Sequence, residues 1–393
     1  MAGEIIDRTE AIGLLSDLVR IPSVNPQMGD GTGEGEIARY LADRLRGLGL
    51  EPTVTEVKPG RPNVLATAPG RPGGLHLLFE AHMDTVPPSH GQAEPFTPRL
   101  EAVPQPGGFR VLARTPSFYG LIRVVEGPLL RVLTVDGVGQ NYVRLSGSGT
   151  PTAYQAFFAA MPGMHRRPQG PPRRALVVGL GAGQLARMLE AAGLRTAAVE
   201  IDPRIEATAR RWFGFDLPPE RVHVVDGRVF LESDTAPRYD YVVLDAFLGD
   251  EAPWHLFTVE ALQAARARIA PGGLLLVNYT AISGGDEVRA VGATLRRVFP
   301  HVAGYTDGPA GVLSGNVFVA AEAPIVLDRD AAASAEGAEM IIRFLDHEVP
   351  PGPGTVLTDD FNPINVYRIA ASRKWREQMI GFLGADWAFL SDF

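Results

Sequence analysis

The sequence predicts an α/β protein whose largest part is a mostly parallel sheet covered by helices, and three observations predict it. From Arg174 onward, apolar runs alternate with helical spacings: ALVVGL, TAAVEI, VHVV, YVVLDAF, LLLVNY and NVFVAA. That is the rhythm of strands joined by crossover helices. The first run enters a glycine turn, Gly179-Leu180-Gly181-Ala182-Gly183, followed by a helical QLARMLEAAG. Acidic residues then close the next three runs, as Glu200, Asp226 and Asp245.

The totals are those of a globular chain. The 393 residues leave room for more than one domain, and 45% are apolar against 21% charged, an ordinary core-forming mix. No apolar run approaches the roughly 20 residues of a membrane helix. The opening MAGEIIDRTEA is acidic where a secretory leader is basic and then apolar, so a cytoplasmic, membrane-free protein is expected. The absence of cysteine removes disulfides, thiolate zinc sites and a cysteine nucleophile. A net charge of −8 does not suit nucleic acid.

In chain order, Ile12–Val19 and Glu34–Leu48 have helical apolar spacing, and Val54–Val57, Asn63–Thr67 and Leu75–Phe79 have the composition of strands. Prolines and glycines between Glu94 and Phe109 mark a linker. Leu121–Val125 and Leu129–Val135, separated by turn residues, read as a small antiparallel β-unit. A second loop-forming stretch, Pro162–Pro172, precedes the first strand of the large sheet. The expected organisation is an α/β fragment over 1–103, the β-unit over 104–160, a nucleoside-binding domain over 161–370 and a helical tail over 371–393.

The glycine turn lets the backbone approach a ligand closely. Glu200, 21 positions after Gly179, is placed to accept hydrogen bonds from both ribose hydroxyls. Open parallel sheets bind ligands beyond the carboxyl ends of their strands. Gly179, Gly181, Gly183, Glu200, Asp226, Gly227 and Asp245 are therefore expected to line one crevice. The Gly-x-Gly-x-Gly pattern differs from the Gly-x-Gly-x-x-Gly of dinucleotide sites. With the acid after the third strand, it favours an S-adenosylmethionine-type ligand on a Rossmann-like, methyltransferase-type fold.

From about Phe109 to Arg368 the sequence resembles the spermidine synthases, the polyamine aminopropyltransferases. The resemblance rests on Val135-Asp136-Gly137-Val138-Gly139-Gln140, Tyr154-Gln155, the glycine turn, Val199-Glu200-Ile201-Asp202, Asp226-Gly227, Asp245, Pro271-Gly272-Gly273, Phe299-Pro300, Ser314-Gly315 and Leu357–Pro363, in that order. It implies transfer of an aminopropyl group from decarboxylated S-adenosylmethionine to a small amine or polyamine, releasing methylthioadenosine. It also implies that Asp245 is the central carboxylate, that Tyr154 lines the amine channel, that Gln140, Glu200 and Asp226 hold the nucleoside, and that the protein forms homo-oligomers. Several family anchors are replaced: Ala182 stands where the glycine loop has Asp, Leu248 where a second carboxylate follows Asp245, Ala156 after Tyr154-Gln155, and the stretch Gly311-Val312-Leu313 lacks the tyrosine expected before Ser314-Gly315. Methyl transfer from S-adenosylmethionine and a non-catalytic nucleoside-binding or scaffold role are the alternatives. Of the remaining histidines, His255 is the mild exception to a surface or core reading, because it lies in the loop after Asp245.

The first hundred residues resemble a different family, the di-zinc acetylornithine deacetylases and aminoacylases. The carrying residues are Leu18–Pro26, the helix Glu34–Leu48 and Phe79-Glu80-Ala81-His82-Met83-Asp84-Thr85-Val86-Pro87. The resemblance implies that His82 is a zinc ligand oriented by Asp84, a common second-layer arrangement. It ends near Glu101, and the chain contains no adjacent pair of glutamates. A catalytic zinc needs about three protein ligands, so zinc is not expected here. A zinc-dependent amidohydrolase is the remaining alternative.

Overall fold

The computed structural model describes residues 8–26, 31–70, 78, 80–85, 94–98, 109–146, 152–233, 235–247, 249–349 and 352–383. The chain divides into two compact units, Met1–Ala102 and Val103–Asp392.

In the first unit, helices α1 (Arg8–Arg20) and α2 (Gly35–Gly47) accompany an antiparallel pair, β1 (Thr53–Lys58) and β2 (Arg61–Leu65). α2 buries Ile37, Ala38 and Ala42, an i, i+1, i+5 stripe on one face. The strand expected over Leu75–Phe79 lies outside the described residues except Leu78, which is in no regular element.

The second unit begins with a four-stranded antiparallel meander: β3 (Arg110–Ser117), β4 (Gly120–Glu126), β5 (Leu130–Val135) and β6 (Val138–Arg144). α3 (Ala153–Met164) leads into the large sheet. There follow β7 (Arg174–Val178), α4 (Gln184–Ala191), β8 (Arg195–Glu200), α5 (Pro203–Phe213), β9 (Val222–Val224), α6 (Gly227–Glu232), β10 (Tyr239–Leu244), α7 (Val259–Ala267), β11 (Ile269–Ile282), α8 (Asp286–Val298), β12 (His301–Thr306) and β13 (Leu313–Ala321). α9 (Arg329–Ala333), α10 (Ala338–Asp346) and α11 (Ile364–Leu383) complete it.

The large sheet has seven strands in the order β12-β13-β11-β10-β7-β8-β9. β11, β10, β7, β8 and β9 run parallel, whereas β13 is antiparallel to both its neighbours. This is the Rossmann-like fold of the S-adenosylmethionine-type methyltransferases, with a small antiparallel sheet before it. The apolar runs are continuous because both faces are covered. Leu176, Val178, Val242, Leu244, Leu275 and Val277 face one hydrophobic layer. Ala175, Val177, Tyr241, Val243, Leu274 and Leu276 face the other.

The meander is gripped on both faces. Ile122, Val124 and Leu133 pack against Ala182, Ile205 and Phe213 from the glycine turn and α5. Val125 and Val132 pack against Met379 of α11. α11 starts before residue 371, so the described part of the expected tail, residues 371–383, continues a helix that packs in this unit; the rest of that tail lies outside the described residues.

Candidate functional site

The strand order reverses between β7 and β10, where one crossover leads toward β9 and the next toward β11. A crevice opens at such a switch point, beyond the carboxyl ends of the strands. A cavity of about 520 Å³ occupies that place. The structure brings Gln140, Tyr154, Gly179, Gly181, Glu200, Asp226, Gly227 and Asp245 to its wall. Gly183 is absent from the lining; it precedes α4, where an added Cβ would meet the Phe215 ring at 2.3 Å.

The glycine turn is shaped by its neighbours as much as by a ligand. Gly179 has φ +93°, and a Cβ there would lie 2.2 Å from the Asp245 carbonyl oxygen. Gly181 has φ +52°, and its Cβ would lie 1.8 Å from Asn141 Oδ1. That same Oδ1 accepts the Ala182 N–H at 2.6 Å. β6 is thereby pinned to the turn. Gly181→Ala would therefore force a left-handed Cβ into a buried hydrogen bond. We expect it to cost about 2–3 kcal/mol, read as a fall in thermal unfolding temperature together with weakened nucleoside binding.

Glu200 is buried at the end of β8. It accepts the N–H of Leu180 at 2.9 Å and of Asp202 at 3.0 Å. Burial raises its pKa, opposed by those backbone hydrogen bonds. The Gly181 N–H is a third backbone donor to it, so one of the carboxylate's four lone-pair positions remains beside the glycine turn. Asp226 caps α6 through Oδ1, accepting from Arg228 N at 2.8 Å and Val229 N at 3.1 Å. Its Oδ2 lies 2.8 Å from His255 Nε2. Asp359, in the closing motif, holds Arg228 with two contacts of 2.6 Å and so braces the first turn of α6. Gln140 donates its amide to the carbonyls of Val138 (3.2 Å) and Gly249 (2.9 Å).

Asp245 stands at the middle of the crevice. Its Oδ2 accepts the Tyr154 hydroxyl at 3.1 Å and its Oδ1 accepts Asn278 Nδ2 at 2.8 Å. The residue is half-buried and lines the cavity, and protein encloses its carboxylate. Burial pushes its pKa up to about 6, opposed by the hydrogen bonds from Asn278 and Tyr154. Burial and the neighbouring Asp245 raise the Tyr154 pKa far above that of a free phenol, so Tyr154 is a neutral donor. Asn278 Oδ1 is buried with no hydrogen-bond partner among the described residues, an acceptor left over beside Asp245.

Asn141, Asn278, Asp307, Arg343 and Trp375 line this site and escaped the sequence reading. Asn278 ends the apolar run LLLVN, where a polar residue is an available signal, whereas Asn141 lies in the mixed strand VGQNYVR. Trp375, which lines the cavity from α11, had none. Leu248, noted in sequence, lies outside the described residues.

In the first unit, His82 Nδ1 donates to the Asp84 carbonyl oxygen at 2.8 Å and lies 3.3 Å from Asp84 Oδ1. Asp84 Oδ2 accepts Asn25 Nδ2 at 2.7 Å, a bond that lowers the carboxyl's pKa. Arg61 spans Glu34 and Asp84. His82 and Asp84 thus adjoin, but among the described residues no three His, Asp or Glu side chains gather in a way that could hold a metal. Val86 and Pro87 of the motif lie outside the described residues. No described helix is long and apolar enough to cross a membrane.

No family model matches the chain. It is similar to the N-terminal histidine N-methyltransferase of Emericella nidulans, at 30% identity over 213 residues, 49% of this chain and 38% of that protein. It is also similar to the polyamine aminopropyltransferase of Vibrio vulnificus, at 35% identity over 112 residues, 27% of this chain and 38% of that protein. A shorter match, 41% identical over 88 residues, is to the succinyl-diaminopimelate desuccinylase of Gluconacetobacter diazotrophicus and covers 21% of this chain and 20% of that protein. It is the support for the peptidase resemblance. Among solved structures, a probable spermidine synthase from Corynebacterium glutamicum superposes with a TM-score of 0.49 at 22% identity, covering 66% of this chain and 93% of that one. The chain spans less than half the length of the curated relatives it matches. Its second unit has the S-adenosylmethionine-type fold, and the relatives with the longer matches are transferases of two kinds, aminopropyl and methyl.

Proposed function

We propose that the protein is a transferase that binds decarboxylated S-adenosylmethionine in this crevice and moves its aminopropyl group to an amine. The observation that carries the reading is Asp245: an enclosed carboxylate, with a pKa near 6, held by Tyr154 and Asn278 at the switch point of the sheet. A general base works best with a pKa near the working pH. The acceptor nitrogen would form a bond to the methylene carbon beside the sulfonium. The carbon–sulfur bond breaks with its electron pair passing to sulfur, and the nitrogen gives its proton to Asp245. Most of the rate would come from holding the reactants in line.

The residues suit such a donor. Gly179 and Gly181 keep the turn free of side chains, and the remaining acceptor position of Glu200 serves a ribose hydroxyl. Gln140 and Asp226 flank the nucleoside, with His255 orienting Asp226. Methyl transfer from S-adenosylmethionine is the second reading, favoured by the similarity to a histidine N-methyltransferase. The two differ in product. Calorimetric titration with methylthioadenosine and S-adenosylhomocysteine separates them, backed by product analysis from each donor. We expect methylthioadenosine to bind more tightly, and Glu200→Gln to weaken it by about tenfold through loss of charge-assisted hydrogen bonds. Preference for S-adenosylhomocysteine would establish the methyltransferase reading instead.

A further inference from the structure

Beyond Asp245, away from the ribose end, the cavity is walled by Asn278 of β11, Ser314 and Gly315 of β13, Asp307, and Arg343 of α10. Asp307 is fixed, accepting the Gly315 N–H on Oδ1 at 2.8 Å. Arg343 is the one arginine or lysine lining the cavity among the described residues. Its ion pair to Glu339, at 3.9 Å and largely in solvent, is long. A simple diamine with its first nitrogen at Asp245 can set its second cation against Asp307 but brings no counter-charge for the Arg343 guanidinium. A cavity end that offers one carboxylate and one guanidinium instead matches a group carrying both charges. Arginine in particular presents a fork suited to a carboxylate.

Resting on the transferase reading above, we infer that the acceptor is a small diamino acid. Its α-ammonium and α-carboxylate meet Asp307 and Arg343, and its side-chain amine reaches Asp245. β10 and β13 lie two strand spacings apart, roughly 10 Å, a span that a lysine or ornithine side chain and the reach of Arg343 cover together. The attacking amine enters as the neutral nitrogen. It forms the new nitrogen–carbon bond as described above and gives its proton to Asp245.

The test is calorimetric binding of L-lysine, L-ornithine, L-lysinamide and 1,5-diaminopentane to the full chain saturated with methylthioadenosine, for the wild type, Arg343→Gln and Arg343→Lys. Lysine or ornithine should bind about tenfold more tightly than the amide and the diamine, the loss of one charge-assisted pair. Arg343→Gln should erase that gap, and Arg343→Lys should restore part of it. The Arg343 side chain is half exposed, so both variants should melt with the wild type. An amide or diamine that binds as tightly as the amino acids, or a gap that survives Arg343→Gln, overturns the inference and leaves the transferase reading standing. If methylthioadenosine itself fails to bind, the transferase reading falls and this inference falls with it.

Discussion

Asp245→Asn is expected to reduce transfer by about 10²–10⁴-fold, the usual contribution of a positioned general base, while leaving methylthioadenosine affinity within a few-fold. In the wild type the rate should climb as pH rises through about 6 and then level, because the base is the ionised carboxylate. Asparagine should remove that limb. Stability should move in the opposite direction. The folded protein keeps the Asp245 proton up to about pH 6, whereas the unfolded chain releases it near pH ~4. This group's contribution to stability therefore falls as pH rises from about 4 to about 6 and is constant above that. At neutral pH the buried charge costs at most about 3 kcal/mol, less whatever cavity solvent screens. Asp245→Asn should thus melt at or above the wild-type temperature at pH 7 while losing activity. A variant that is both inactive and strongly destabilised would show instead that the carboxylate serves the fold.

The second large effect concerns Arg368, 1% exposed, which ties α11 to the site. Its guanidinium donates to the carbonyls of Asp250 and of Thr280 (2.9 Å) and to Glu287 Oε2 at 3.2 Å. Phe247, Tyr279 and Trp375 surround it, with ring centroids 5.2, 5.6 and 5.6 Å from the guanidinium carbon. Glu287 is itself only 2% exposed. Arg368→Met keeps much of the volume but strands that carboxylate, which should cost about 3–5 kcal/mol. Urea unfolding should report that loss. Nucleoside binding should weaken as well, because Trp375 and Gln378 of the same helix line the cavity. Adding Glu287→Gln to Arg368→Met should recover part of the stability, since the stranded charge is gone. No recovery would mean that the aromatic box and the backbone contacts, rather than the ion pair, dominate. Arg376, paired with Asp250 at 2.6 and 2.8 Å nearer the surface, should matter much less.

What the sequence by itself determined is what local pattern encodes. Strands buried on both faces must be apolar throughout, so β7, β8, β10 and β11 announced themselves. A backbone that turns at a strand end needs glycine, and Gly179 and Gly181 stood where β7 ends. Glu200, Asp226 and Asp245 were legible because each closes an apolar run, and the parallel fold then placed all three at one rim.

Other features depended on partners far away in the chain. β12 was not foreseen: it is an edge strand, mostly half-buried, and its sequence lacks a clean alternation. The reversal of β13 was not foreseen either, because strand direction leaves no trace in a two-residue period. Asn278 reads as a strand residue until β10 brings Asp245 within 2.8 Å of it. His255 is 29 positions from Asp226, yet their side chains meet at 2.8 Å. Arg343 and Trp375 reach the cavity only because α10 and α11 fold back over the sheet. Short-range periodicity decides which face of an element is buried. Which polar side chains then share that burial is decided by long-range packing, because a buried charge must find its partner wherever the chain brings one.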